Sequence, residues 1–255
     1  MILGILQARM GSSRLPGKVL KKILNRPMLA LQIERIKQSE LINQLIIATS
    51  SNPEDDAIES LCVDLGVECF RGSLNNVLER FYKAAEIYNP DHIVRLTGDC
   101  PLIDPEIMDQ VIQFHLDNFY DYSSNTLEPS FPDGLDLEVM RFSALKTAFE
   151  KAVLPSELEH VTPYIHRRPD VFSLGNFKFQ KDLSFHRWTV DEPEDYELVS
   201  WIFECLNSTH GLNFKFQDVL NLLEKHPDKF NLNQKYVRNE GMTKSLLADQ
   251  EFLVI

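Results

Sequence analysis

The chain opens with an apolar run from Ile2 that is short enough to be one buried strand. It then breaks into a loop, Ala8 to Lys18, that carries Gly11, Gly17, Ser12 and Ser13 together with Arg9, Arg14 and Lys18. A helix-like segment follows from Pro27 to Gln38. This order is a βα unit whose loop is made for anions. Glycine lets backbone N–H groups approach a phosphate, and two guanidinium forks and one ammonium can offset a charge as large as that of a triphosphate. A plain βα turn with solvated basic residues is the alternative. Three cations within ten positions argue against it, because the chain as a whole has a formal charge of −12.

Two common phosphate loops do not match this one. The ATPase and GTPase loop needs four residues between its glycines and then Lys-Ser or Lys-Thr, whereas five residues separate Gly11 from Gly17 and Val19 follows Lys18. The dinucleotide fingerprint fails as well, since no glycine stands two positions after Gly11. The acidic balance excludes a nucleic-acid or anionic-membrane surface, so the anion site is local and its ligand small.

Short apolar runs and helical periodicity alternate through the first half. Leu45–Thr49, Val67–Phe70 and His92–Thr97 read as strands, and Pro53–Leu65 and Leu74–Tyr88 as helices. Such alternation predicts an α/β fold with a mainly parallel sheet covered on both faces, and its ligands bind beyond the carboxyl ends of the strands. The 255 residues are enough for one such domain. Between about 121 and 180 five prolines punctuate short segments, which reads as an inserted lid or subunit-contact region. A strand at Phe185–Val190 and a helix from Pro193 to Leu206 follow. The expected organisation is one domain over residues 1–206, then a C-terminal helix at Asp218–Lys225 and a tail, together 207–255. No run approaches the ~20 apolar residues of a membrane span and no leader is evident, so a cytoplasmic location is expected. Cys62, Cys69, Cys100 and Cys205 lack paired spacing and read as reduced packing residues.

Two further motifs carry carboxylates. In Val94 to Asp104 a strand runs into Gly98, leaving Asp99 at its carboxyl edge where it could hold Mg²⁺, while Asp104 before Pro105 reads as a helix cap. In His186 to Asp195 an alternating pattern puts Arg187, Thr189 and Asp191 on one side and Trp188 and Val190 on the other. A cation and a carboxylate facing one space suit a metal-bound phosphate. The alternative makes Asp191 a helix cap, with Glu194 and Asp195 as favourable partners of the helix N-terminus.

The run Gln-Ala-Arg-Met-Gly-Ser-Ser-Arg-Leu-Pro-Gly-Lys at positions 7–18 resembles the nucleotide loop of the cytidylyltransferases that make CMP-sialic acid and CMP-KDO. It is most similar to their spore coat polysaccharide branch, and the resemblance covers about residues 1–206. It implies the three-layer, Rossmann-like nucleotide-diphospho-sugar transferase fold and transfer of CMP from CTP to an acidic or modified sugar with release of pyrophosphate. It further implies a surface-polysaccharide role, a homodimer, and Mg²⁺ as cofactor. Residue by residue it places Gln7, Ala8, Arg9, Gly11, Ser12, Arg14 and Lys18 in the nucleotide loop, Asp99 and Asp191 on the metal, and Arg71 near the base. A surface ion pair is the other reading of Arg71. Arg9, Lys18, Asp99 and Asp191 are the expected catalytic set. For the sugar the candidates are Asp136 and Glu138, read as sharing one strand face, together with Arg187 and His160, the last within a Glu-His-Val-Thr-Pro-Tyr run similar to that of the spore coat branch. Two other classes stay in view. Sugar-1-phosphate nucleotidyltransferases open with Gly-Gly where this chain has Ala8-Arg9, and glycosyltransferases consuming nucleotide-sugars carry Asp-x-Asp where it has Gly98-Asp99-Cys100.

Overall fold

The structure is a computed structural model that describes residues 1–238 and 240–254. β1 (Ile2–Gln7) leads into the basic loop, a 3-10 turn at Lys18–Leu20, and a small ladder of β2 (Lys22–Ile23) with β3 (Arg26–Pro27). Alternation then proceeds as expected through α1 (Met28–Ile36), β4 (Gln44–Ser50), α2 (Asp56–Asp64), β5 (Glu68–Gly72), α3 (Val77–Glu86) and β6 (His92–Thr97). α4 (Pro105–Asp117) is capped by Asp104, whose Oδ1 accepts from Glu106 N at 2.8 Å and Ile107 N at 3.1 Å. The cap reading of Asp104 is the right one.

Residues 121–180 are more regular than their prolines suggested. They contain β7 (Tyr122–Ser124), β8 (Glu138–Arg141), α5 (Phe142–Lys151), α6 (Pro155–His160), α7 (Pro163–His166) and β9 (Leu174–Asn176). The three strands extend the central sheet, whose order is β5-β4-β1-β6-β8-β7-β9. β8 runs antiparallel to both its neighbours, while every other pairing in this sheet is parallel. The region is therefore a continuation of the domain.

α8 (Pro193–His210), α9 (Phe216–Glu224), α10 (Pro227–Phe230) and α11 (Glu240–Val254) complete the chain. The boundary expected after Leu206 falls inside α8, and the tail holds two helices that the sequence pattern did not reveal. Two apolar layers hold the sheet. One joins Leu6, Ile47 and Leu96 to α1, α4 and α8, and the other joins Ile5, Ile46 and Ile93 to α3 and α5. Each fully buried Leu or Ile contributes about 1.5–3 kcal/mol relative to exposure. Among the described residues no helix is long and apolar enough to cross a membrane.

The strand expected at Phe185–Val190 is a correction. Its alternation is real, with Trp188 and Val190 in the core, but among the described residues it joins no ladder beyond one bridge between Asp133 and Arg187. Its backbone donors go elsewhere: Trp188 N and Thr189 N to Asp133 O at 2.6 and 2.9 Å, Val190 N to Asp99 O at 2.8 Å. Gly134 makes that approach possible, because at φ +111° a Cβ there would stand 2.5 Å from Thr189 N.

Buried histidines give the fold a pH dependence. His115 Nδ1 lies 3.0 Å from Ser123 Oγ and its Nε2 lies 3.0 Å from His92 Nδ1. Burial pushes His115 down to about 3 and His186 down to about 4, so both are neutral when folded and take up a proton near 6.5 when unfolded. His92, His160 and His166 are lowered in the same direction by burial, against the raised carboxyl groups of Asp133 and Asp136. The contribution of the histidines is complete above pH 6.5 and is lost as pH falls from there toward 3, while the two raised carboxyl groups act in the opposite sense. The urea midpoint should drop across that window, and His115→Gln should flatten part of the slope. An unchanged midpoint between pH 7 and 5 would contradict this account.

Candidate functional site

The basic loop closes on itself over one carbonyl. Met10 O accepts from Ser12 N at 2.8 Å and Gly17 N at 3.1 Å, while Asp55 Oδ1 holds Met10 N at 2.7 Å. Gly17, at φ 65°, turns the chain into the 3-10 turn that sends the Lys18 side chain inward. There Nζ meets Asp191 Oδ1 at 2.7 Å, Val190 O at 2.8 Å and Asp99 Oδ2 at 3.4 Å. Arg14 pairs with Asp191 Oδ2 at 2.9 Å and with Glu192 at 3.3 Å. Arg9 is exposed and forms no ion pair among the described residues. Gln7 turns its Oε1 toward Arg95 at 3.3 Å, and nothing lies within 4 Å of where a Cβ on Gly11 would stand. Ala8 is buried beneath the loop, and Ser12 Oγ accepts from Leu15 N at 3.3 Å.

Asp99 and Asp191 thus converge on one point although they are remote in sequence. Asp99 is placed by the end of β6, where Thr97 Oγ1 donates to its Oδ1 at 2.5 Å. Burial pushes its carboxyl up, but Lys18 and the Thr97 hydroxyl outweigh that and hold it at about 2. Burial also works against the charge on Lys18, and the two aspartates more than compensate, raising it above its ordinary value. Asp191 is not a helix cap. The cap of α8 is Glu192, and the carboxylate that serves the first turn is Asp195, whose Oδ2 accepts from Asp191 N at 3.0 Å and Glu192 N at 2.9 Å. The Asp191 side chain is left to face Lys18 and Arg14.

Arg187 does not face that space as an open cation. It is buried in a bidentate pair with Asp195 at 2.9 and 2.8 Å, touches Asp133 at 3.3 Å, and lies 3.7 Å from Asp191. Its guanidinium braces the loop that carries Asp191. Arg71 is similarly engaged: it donates to Ser50 O at 3.0 Å and Asn52 O at 2.8 Å and pairs with Asp56 at 2.6 Å and Glu59 at 2.8 Å.

The sugar candidates separate. Asp136 lies before β8, so it does not share a strand face with Glu138, and it pairs with Arg238 at 2.6 Å. Glu138 is enclosed by Arg95, by Tyr122 OH at 2.6 Å and by Thr162 Oγ1 at 2.6 Å. His160 Nε2 lies 2.9 Å from Ser245 Oγ of α11. Sequence patterning assigns Thr97, Arg95, Asp195, Asn233 and Arg238 no role toward ligand or metal. Thr97 and Arg95 stand inside the Val94–Asp104 motif, but nothing in their spacing shows that the first bonds Asp99 and the second Glu138.

A divalent cation fits this donor set. Two carboxylates already share one cationic group at 2.7 and 3.4 Å, so displacing the ammonium leaves two hard oxygen ligands aimed at a common point. Among the described residues no group of three or more His, Cys, Asp or Glu forms a complete metal cage. Remaining ligands would have to come from a phosphate and water.

Comparison with known proteins agrees with the architecture. Residues 3–226 match a family described as cytidylyltransferase. The spore coat polysaccharide biosynthesis protein SpsF of Bacillus subtilis is 34% identical over 239 residues, covering 89% of this chain and 95% of its own. The structure of a cytidylyltransferase from Leptospira borgpetersenii serovar Hardjo-bovis superposes with a TM-score of 0.86 at 33% identity, covering 93% of this chain and 99% of that one. A CMP:2-keto-3-deoxy-manno-octonic acid synthetase complexed with CTP shares the fold, with a TM-score of 0.60 at 18% identity over 80% of this chain and 98% of its own.

Proposed function

The chain belongs to the cytidylyltransferase family, and from that premise we propose that it transfers CMP from CTP to a hydroxyl of an acidic or modified sugar, releasing pyrophosphate, in the building of a surface polysaccharide. The observation that carries this reading is the meeting of Lys18 with Asp99 and Asp191, 81 and 173 residues away in sequence. Two carboxylates and an ammonium at the carboxyl edge of a parallel sheet, under a loop that adds Arg9 and Arg14, are the parts a nucleoside triphosphate transferase needs.

In the reaction the sugar oxygen attacks the α-phosphorus in line. The new P–O bond forms as the bond to the β-phosphate oxygen breaks, the electron pair leaves with pyrophosphate, and the hydroxyl proton passes to water. Asp99 and Asp191 would hold Mg²⁺, which supplies charge neutralisation at the α-phosphate when bound. Lys18, released from the carboxylates, would turn to the leaving phosphates with Arg9 and Arg14, where fixed cations stabilise the charge that develops. The Thr97 hydroxyl donates to Asp99 Oδ1 and keeps that carboxylate oriented. In this reading Arg71 shapes the base end by fixing the Ser50–Asn52 turn, since its donors are engaged there. The SpsF likeness supports the polysaccharide role, and the CTP complex of the synthetase supports the nucleotide.

CTP should raise the thermal midpoint more than ATP, GTP or UTP at equal concentration, by the equivalent of about 2.7 kcal/mol at a hundredfold excess over its Kd. Equal shifts with all four nucleotides would sink the cytidylyl assignment.

A further inference from the structure

Beyond α9 the chain returns to the segments that carry Asp136, Arg187 and Asp195. Asn233 is fully buried and donates its Nδ2 to Arg187 O and to Asp195 Oδ1, each at 2.9 Å. Lys235 and Tyr236 both bond Glu194, at 2.7 and 2.8 Å. Arg238 reaches Asp136 Oδ1 at 2.6 Å and Phe131 O at 3.3 Å, and lies 3.9 Å from Asp133 Oδ1. These residues stand outside the span 3–226 that matches the family.

Two of these ties act on the carboxylates of the centre, with opposite electrostatic sense. Asp195 is completely buried and takes five donors: Arg187 Nε and Nη2, Asn233 Nδ2, and the backbone N–H groups of Asp191 and Glu192. Because its Oδ2 holds the Asp191 backbone directly, any rotation of that carboxylate re-aims Asp191. Asn233 shares Oδ1 with Arg187 Nε, so that oxygen is held from the tail as well as from the Arg187 side chain. Arg238 works on charge. Asp133 O accepts from Thr189 N at 2.9 Å, one residue before the Val190 N–H that bonds Asp99 O at 2.8 Å, and the Arg238 guanidinium sits against Asp133 and Asp136 and offsets both.

We propose that residues 231–238 are a positioning strap of the catalytic centre: Asn233 holds the Asp195 clamp that aims Asp191, and Arg238 keeps Asp133 and Asp136 from competing with Asp99 for the cation. This rests on the reading of Asp99 and Asp191 as the Mg²⁺ carboxylates. Groups that orient metal ligands typically change metal affinity by about 10–100-fold when removed, which sets the scale.

The test is Mn²⁺ uptake by the full chain in the presence of CTP, followed by the electron paramagnetic resonance of free Mn²⁺, with thermal midpoints measured in parallel. Asn233→Ala should raise the half-saturating Mn²⁺ concentration about tenfold. Arg238→Ala should lower it roughly threefold, since it unmasks two carboxylates beside Asp99, and Arg238→Lys should restore the parental value. Lys229→Ala, which removes contacts with Glu197 and the Trp201 ring and none with the residues named above, should match the parent. Loosening of the fold alone would move Asn233→Ala and Arg238→Ala in the same direction, and that result overturns the strap. So does a parental Mn²⁺ midpoint in Arg238→Ala, which carries the test if Asn233→Ala does not fold. A parent that takes up no Mn²⁺ with CTP removes the metal reading itself, and the strap with it.

Discussion

Asp99→Asn and Asp191→Asn should each cut turnover by roughly two to three orders of magnitude while leaving the fold intact. Asparagine preserves the shape of either side chain and one acceptor oxygen, so the contacts with Thr97, Lys18 and Arg14 are weakened more than abolished. What is removed is a negative charge at the point both carboxylates address. If they serve one cation, the first substitution already empties the site and the double variant should be hardly slower than either single one. Additive losses would mean two separate roles. The geometry removes one escape from this test. Asp191 gives no cap to α8, because Glu192 and Asp195 do that work, so loss of activity in Asp191→Asn cannot be blamed on a frayed helix. Full activity in Asp191→Asn would take away half of the proposed centre. Thermal midpoints and steady-state kinetics on the three variants, with CTP saturating, are sufficient.

Lys18→Met should have two effects that respond differently to metal. CTP binding should weaken roughly ten- to a hundredfold, the scale of losing a hydrogen bond to a charged group. Stability should also fall, because Lys18 is not a surface residue: its ammonium is the cation between two carboxylates. Breaking a fully buried pair costs about 3–5 kcal/mol, but Asp99 and Asp191 are 29% and 21% exposed, so about 1–2 kcal/mol is the expected loss. Mg²⁺ should recover much of that stability, since it enters a site whose resident cation is gone, and it should stabilise the variant more than the parent. It should not recover CTP affinity in full. A variant with parental stability and parental CTP binding would return Lys18 to the status of a solvated residue.

Several local features were legible without coordinates because their causes lie within a few residues. The strands β1, β4 and β6, the helix start at Pro193 and the cap at Asp104 follow from period-two or period-3.6 patterning and from proline and aspartate chemistry at the first turn. Residues 185–190 show where that logic stops. The pattern of Trp188 and Val190 marks two buried side chains, but burial on alternate sides does not supply a neighbouring strand, and the backbone bonds go to Asp133 and Asp99 instead.

By itself the sequence determined the layered α/β architecture, the basic loop at the end of the first strand, and the presence of Asp99 and Asp191 at chain turns beside apolar runs. The tertiary structure decided which charges meet. Arg71 and Arg187 looked as available for a ligand as Lys18 did, yet Arg71 is held by α2 and Arg187 by Asp195. It also decided that the tail, lacking any readable pattern, returns to brace Asp195 and Asp136. Periodicity reports how a side chain is buried against its own element, over a few residues. Ion pairs such as Lys18 with Asp191 form between elements 173 residues apart, and their partners are chosen only when the sheet has brought those elements together.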